Sequence, residues 1–210
     1  MKTYDRIIQE SLQLFNEHGE RPITTNHIAA HLGISPGNLY YHFRNKEEIV
    51  YQIFLMYLEY MREHLRIPEH RLLEPDDLGR YLDAAFAAMW QYRFMFYDLP
   101  GLFSRSPQLR DDYHSYVKNE LGPILAKALG QFAAIGFMDM KPTEIVPLAT
   151  NTWLVVKFWF AFQQTIHPDR PISEETGKIG ARQVLSLFKP YVKPDYLDKF
   201  EAIEARYRNS

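Results

Sequence analysis

The chain has 210 residues, with 24 Lys and Arg against 26 Asp and Glu, a formal charge of −2 at pH 7, and no cysteine. A chain of that length buries roughly 70 % of its unfolded surface, enough for one substantial core plus a small domain. The near-neutral charge excludes a protein that coats nucleic acid without selectivity, and the missing thiols exclude a disulfide framework and a thiolate metal site.

Met1, Lys2, Thr3, Tyr4 and Asp5 do not read as a basic-apolar leader. The longest apolar stretch, Ile145 to Phe162, is broken by Pro147, Asn151, Thr152 and Lys157. It reads as too short and polar to span a bilayer, so a cytoplasmic protein with no membrane association is expected.

Residues 21–46 predict two short helices about a tight turn. Thr24 and Thr25 are cap residues, and Ile28, Ala29 and Leu32 give the first helix one apolar face. Gly33 supplies the turn, where a positive φ is free of strain. Ser35 caps the second helix and Pro36 takes its first position, where a missing N–H is harmless. Leu39 and Phe43 turn inward at i, i+4, leaving Gly37, Asn38, Tyr40, Tyr41 and His42 outward. This is a helix-turn-helix with an aromatic, polar second helix, the kind of element that enters a major groove. The stretch carries Arg21, Arg44 and Lys46 and no acid, a formal +3 within a weakly acidic chain. That pattern suits a small DNA reader on a larger body that does not touch DNA.

Start and stop signals parse the remainder into helices. Asn45 and Glu48 open a long one, in the manner of a capping box, that runs to about Arg66. Pro68 and Pro75 bracket a link, and Asp76 opens a helix to about Tyr92. Asp98-Leu99-Pro100-Gly101 and Ser104-Arg105-Ser106 read as a turn and a helix start. Ser106-Pro107 begins a helix ending near Gly136, with a break expected at Gly122-Pro123. Thr143 opens an apolar helix closed by His167-Pro168, and Ser173 caps another that ends at Pro190. Tyr196, Phe200, Ile203 and Tyr207 mark a last amphipathic helix. No segment of any length alternates with period two, so the expected class is all-α.

Over roughly its first 55 residues the chain resembles the TetR family of bacterial transcriptional repressors. An apolar-periodic helix (Ile8, Leu12, Phe15) ends at Gly19, and Thr25, Ile28 and Ala29 follow. Then come Gly33-Ile34-Ser35, the run Leu39-Tyr40-Tyr41-His42-Phe43, and Lys46-Glu47, each at the family's spacing. The resemblance implies a helix-turn-helix DNA-binding domain over 1–46, continuing into a bridging helix over 46–66. A helical regulatory, ligand-binding and dimerisation domain over 47–210 would follow it.

The resemblance also implies roles. Thr25 and Lys46 sit at helix N-termini facing phosphates. Tyr40 and His42 donate to the DNA backbone, Pro36, Gly37, Asn38 and Tyr41 approach bases, and the cap residue Ser35 belongs to the same DNA-binding set. Asn38 suits an adenine edge and Tyr41 a thymine methyl. Asn26 stands where some relatives carry a long basic residue. His27 and His31 have i, i+4 spacing but no third ligand nearby, so no metal site is expected.

One such reader covers too little DNA for selectivity, so two copies on a pseudo-palindrome are expected. The segment Thr143 to Ile166 is apolar nearly all round, with Trp153, Val156 and Phe160 on one side and Val155, Trp159 and Phe162 on another. A helix apolar on both faces needs two partners. One is the chain's own core. The other is a second subunit, with Val184, Leu185, Leu187 and Phe188 joining in as the family's four-helix interface implies. An apolar pocket is expected among the middle helices, lined by Met89, Trp90, Phe94, Tyr113, Val117, Trp153 and Phe160. His114, Asn151 and Gln163 would orient a polar end of a small hydrophobic or aromatic effector.

No nucleophile elbow, phosphate loop, metal constellation or cofactor motif accompanies Glu63, His64 or His114, so neither catalysis nor a cofactor is expected. The alternative reading is a helical protein-interaction module, for which binding would be indifferent to salt.

Overall fold

The computed structural model describes residues 2–208. Its helices are α1 (Thr3–His18), α2 (Thr25–Leu32), α3 (Pro36–His42), α4 (Lys46–His64), α5 (Pro75–Gln91), α6 (Arg93–Tyr97), α7 (Leu99–Arg105), α8 (Pro107–Tyr116), α9 (Gly122–Ala134), α10 (Pro142–Ile166), α11 (Glu174–Phe188) and α12 (Leu197–Ala205). Among the described residues there is no strand, only a bridge between Met138 and Val192. The fold is all-α, as the missing period-two pattern predicts.

The chain forms two compact units. The first gathers residues up to Tyr60 together with Gln91–Tyr113, and the second holds Met61–Trp90 and everything from His114 on. This division differs from the chain-order boundary expected at residue 46, and the reason is packing. In the first unit Phe94 of α6 lies against Phe15 of α1, with ring centroids 5.2 Å apart. Asn16 fixes the same junction, donating to the Gln91 carbonyl at 2.8 Å and accepting from the Phe94 N–H at 3.2 Å. Tyr57 of α4 meets Tyr92 and Phe96 edge-on at 5.7 and 5.4 Å. Ile7, Phe15, Ile28, Leu39, Ile49, Ile53 and Phe54 are fully buried, so the core of the reading head is closed partly by α6 and α7.

The second unit is built on α5, α9, α10 and α11. Gly180 lets α11 approach closely, since a Cβ there would collide with the rings of Phe86 and Trp159. The Trp159 indole N–H donates to the Thr176 carbonyl at 2.6 Å, joining α10 to α11. Beyond α12, Tyr207 donates to the Gly79 carbonyl at 3.0 Å and to Asp83 at 2.6 Å, holding the last helix on α5. The break expected at Gly122-Pro123 is a widened turn: Val117–Leu121 is a π-helical segment between α8 and α9. Pro123 has no N–H and would crowd the carbonyl four residues back, and widening the turn relieves that conflict.

One expectation needs correcting. The 25-residue α10 has the length and mean hydropathy, 1.4, of a membrane span, despite Pro147 and Lys157. A core helix passes the same test, and α10 buries Leu148, Thr152, Val156, Trp159 and Phe160 within its own unit.

Candidate DNA-reading surface and effector cavity

The reading head follows its sequence signals closely. Thr24 caps α2, its hydroxyl accepting from the His27 N–H at 3.3 Å while His27 Nδ1 accepts from the Thr24 N–H at 3.3 Å. His27 therefore completes a reciprocal capping box in place of the usual Glu or Gln. His31 contacts Glu10 at 3.1 Å instead. Gly33 adopts φ 66°, ψ 30°, the left-handed turn that needs no Cβ. Ser35 accepts from the Asn38 N–H at 3.2 Å and Pro36 opens α3.

Leu39 is fully buried, and Phe43 stacks on Tyr4 at 4.7 Å. These anchors hold α3 so that Pro36, Gly37, Asn38, Tyr40 and Tyr41 are exposed, Tyr41 at 86 %. Tyr40 lies within 2.9 Å of the Thr25 hydroxyl, joining α3 to the start of α2. His42 is half-buried, edge-on to Tyr4 and Tyr41, and Asn26 is exposed.

Two basic residues of the head differ in their surroundings. Lys46 is committed inside the unit, with Nζ 2.8 Å from the buried Glu20 carboxylate and donating to the Glu20 carbonyl at 2.8 Å. Arg44, absent from the expected contacts, has a side chain 90 % exposed just beyond α3 and only a long contact of 3.9 Å to Glu48. Spacing alone cannot show that Glu20, at the end of the first turn, folds back onto α4.

The second unit encloses an apolar cavity. Its walls come from Leu78, Leu82 and Ala85 of α5, Ile124, Leu125, Ala128 and Phe132 of α9, Ala149, Trp153 and Val156 of α10, and Leu65, which follows α4. The two hydroxyl-bearing wall residues are already engaged. Thr152 donates to the Leu148 carbonyl at 2.8 Å and Tyr81 to the Arg66 carbonyl at 3.2 Å. Burial pushes the Tyr81 phenol up to about 12, so it stays a neutral donor. An outer groove shares Leu121, Leu125, Ala149 and Trp153 with this cavity and adds Val117, Lys118 and Val146.

Comparison with known proteins settles the family. Residues 7–53 match the sequence profile of bacterial regulatory proteins of the tetR family, and residues 56–200 match that of a bacterial transcriptional repressor. A TetR-family transcriptional regulator from Marinobacter aquaeolei VT8 has 42 % sequence identity over the whole of both chains, with a TM-score of 0.91. The chain belongs to the TetR family of bacterial transcriptional regulators. An HTH-type transcriptional regulator of Staphylococcus aureus (strain USA300) is 36 % identical over 61 residues. That match spans 29 % of this chain and about a third, 33 %, of the relative's length. AibR, solved with isovaleryl coenzyme A and operator DNA, shares the fold at 17 % identity, with a TM-score of 0.66 over 90 % of this chain and 100 % of its own.

In this TetR-family regulator the expected pocket residues are spread over both units. Trp153 lines the cavity and the outer groove, and Val117 lines the groove. Met89 is buried, and Trp90 packs on Phe160 at 5.9 Å within the second unit. Phe94 and Tyr113 belong to the first unit, where Tyr113 meets Phe54 and Phe103. The small residues Ala85, Ala128 and Ala149, which no aromatic pattern marks, also line the cavity. His114 and Asn151 are exposed.

The expected interface residues also divide. Val184, Leu185, Phe188 and Trp159 are buried within their own chain. Val155 and Leu187 are half-buried. Phe162 is exposed, and with it Leu154, Phe158 and Ile166 one turn apart on α10 and Ile179 on α11.

Proposed function

We propose that the chain is a homodimeric repressor that leaves a pseudo-palindromic operator when a small apolar effector fills the cavity of the second unit. The observation carrying this reading is a rigidly capped α3 with a bare polar-aromatic face, in a chain whose second unit holds a cavity walled by aliphatic and aromatic side chains. Base edges are read by an exposed face such as Asn38 and Tyr41 present, while phosphate contacts set position. Because the walls are mostly aliphatic and aromatic, and the Thr152 and Tyr81 protons are already given to backbone carbonyls, the effector's buried end is apolar: an acyl chain, an alicyclic or an aromatic group. AibR, with its acyl thioester and operator DNA, supports the pairing of these two ligand classes on this fold.

The exposed stripe Leu154, Phe158, Phe162 and Ile166 supports pairing with a second copy. Release follows as a population shift. Leu65, directly after α4, forms part of the cavity wall, so an effector that prefers one setting of α4 favours dimers whose α3 helices no longer match successive major grooves. Operator DNA must then weaken effector binding by the same factor.

The test is selection of sites from a random duplex library, followed by salt titration on the selected site. A palindromic site is expected, with affinity falling steeply between about 50 and 200 mM salt. Binding that ignores both sequence and salt would leave only a protein-interaction role.

A further inference from the structure

The reading head contains a cluster of charges that extends well beyond its matched sequence. Glu20, between α1 and α2, has a side chain only 6 % exposed, yet it faces two cations: Lys46 at 2.8 Å and Arg105 at 2.6 Å. Arg105 closes α7, far outside residues 7–53, and also stands 3.9 Å from Asp98. Asp98 in turn is held by Arg21 at 2.7 Å. Lys46 donates further to the backbone carbonyls of Glu20 and Arg21, so its ammonium is fully engaged.

We infer that Arg105 and Glu20 are positioning residues for DNA binding, deciding whether Lys46 is free to contact an operator phosphate. A buried carboxylate stripped of its only cation is strongly unfavourable, whereas one that keeps a second cation is not. With Arg105 in place, Lys46 can leave Glu20 for a phosphate and the carboxylate remains paired. Without Arg105, Lys46 is the last counter-ion of Glu20 and stays locked. The same arithmetic holds for charge. Glu20, Asp98, Arg21, Lys46 and Arg105 sum to +1, and removing Arg105 brings the cluster to zero, so the reader loses one cation towards the phosphates. Any rearrangement that draws α7 away from α1 acts as that removal does, which makes α7 a regulatory handle on a contact it does not itself make.

The experiment is a salt titration of full-length protein on a fluorescein-labelled duplex carrying the selected site. Wild type is compared with Arg105→Gln, Arg105→Lys, Glu20→Gln and the Glu20→Gln/Arg105→Gln double variant, each checked by thermal melting. Arg105→Gln is expected to weaken binding about five- to tenfold and to reduce the salt slope by about one. Arg105→Lys keeps the wild-type slope. The double variant regains it, because an amide cannot hold Lys46 as a carboxylate does. A structural defect would instead lower affinity without this rescue. An unchanged slope in Arg105→Gln, or a double variant no better than the single one, would overturn the inference. If Arg105→Gln does not fold, Glu20→Gln decides alone: it must match or exceed wild-type affinity with an undiminished slope.

Discussion

In a reading head this small, Tyr40 joins two helices and is also proposed to meet a phosphate. Its ring is half exposed on α3, and its hydroxyl lies 2.9 Å from that of Thr25 at the start of α2. Either oxygen can donate, so when one hydroxyl turns to a phosphate the other still has a partner. Tyr40→Phe removes that exchange while keeping the ring. Operator affinity is expected to fall about fivefold, or about 1 kcal/mol, with a melting temperature within about 1 °C of wild type, because water replaces the lost partner of an exposed hydroxyl in the folded chain. Filter binding and calorimetry on the same preparation check both values, and a large drop in melting temperature would mean that the bond is structural. Arg44 and Lys46 carry the complementary lesson. Both are visible as charge, but only packing reveals that one points to solvent and the other to Glu20.

At the scale of an element, the start of α5 is secured by one carboxylate. Asp77 accepts from the Glu74 N–H at 2.8 Å, is clasped by Arg71 at 2.6 and 2.8 Å, and pairs with Arg80. Burial by itself would raise its pKa. The hydrogen bonds from Arg71 and the Glu74 N–H, with the charges of Arg80 and Arg71, outweigh burial and hold it below the usual carboxylate range. A depressed folded-state value stabilises the protein above the unfolded value, near 3.9, and that stability is lost as pH falls through the lower folded value. Asp77→Asn should therefore cost about 1–2 kcal/mol at pH 7, or about 2–8 °C in melting temperature, with the gap to wild type closing below about pH 4. Thermal melts across pH test this, and a gap that stays constant would reject the assignment.

The elements most legible in the sequence were those ended by local chemistry. Thr24, Gly33, Ser35 and Pro36 fix α2 and α3 through neighbours within four residues, and α3 lies where they place it. The short helices α6 and α7 were not legible, because Phe94, Phe96, Leu99 and Leu102 have no period long enough to detect and fold only against partners distant in the chain. The cavity is hard to read from the sequence for a related reason. Aromatic residues mark bulk, but a cavity forms where bulk is missing, here at Ala85, Ala128 and Ala149.

For the whole molecule, the face left bare on α10 bears most on function. A monomeric chain gains nothing by holding Leu154, Phe158, Phe162 and Ile166 in a line with nearly half of each side chain in water. Lys157 lies beside this stripe with its ammonium 4.8 Å over the Phe158 ring, and burial holds its pKa below that of a free lysine. The expected interface takes in Val155, Trp159 and Phe162 of α10, of which Phe162 lies in this stripe, together with Leu187 and the buried trio Val184, Leu185 and Phe188. Those three are buried in the chain's own core, and the exposed stripe with Ile179 is the surface on which the proposed pairing rests. Phe158→Glu tests this without touching the core or the reading head. Two carboxylates facing each other across a two-fold axis oppose association, while in a lone chain the new side chain is simply solvated. The variant is expected to sediment as a monomer at micromolar concentration, to keep its helical circular dichroism, and to lose operator affinity about a hundredfold or more, since each reader then binds alone. A variant that remains a dimer would place the interface elsewhere. One that becomes a monomer yet binds the palindrome as tightly as wild type would show that a single α3 supplies the affinity, and the dimeric reading of the operator would fall with it.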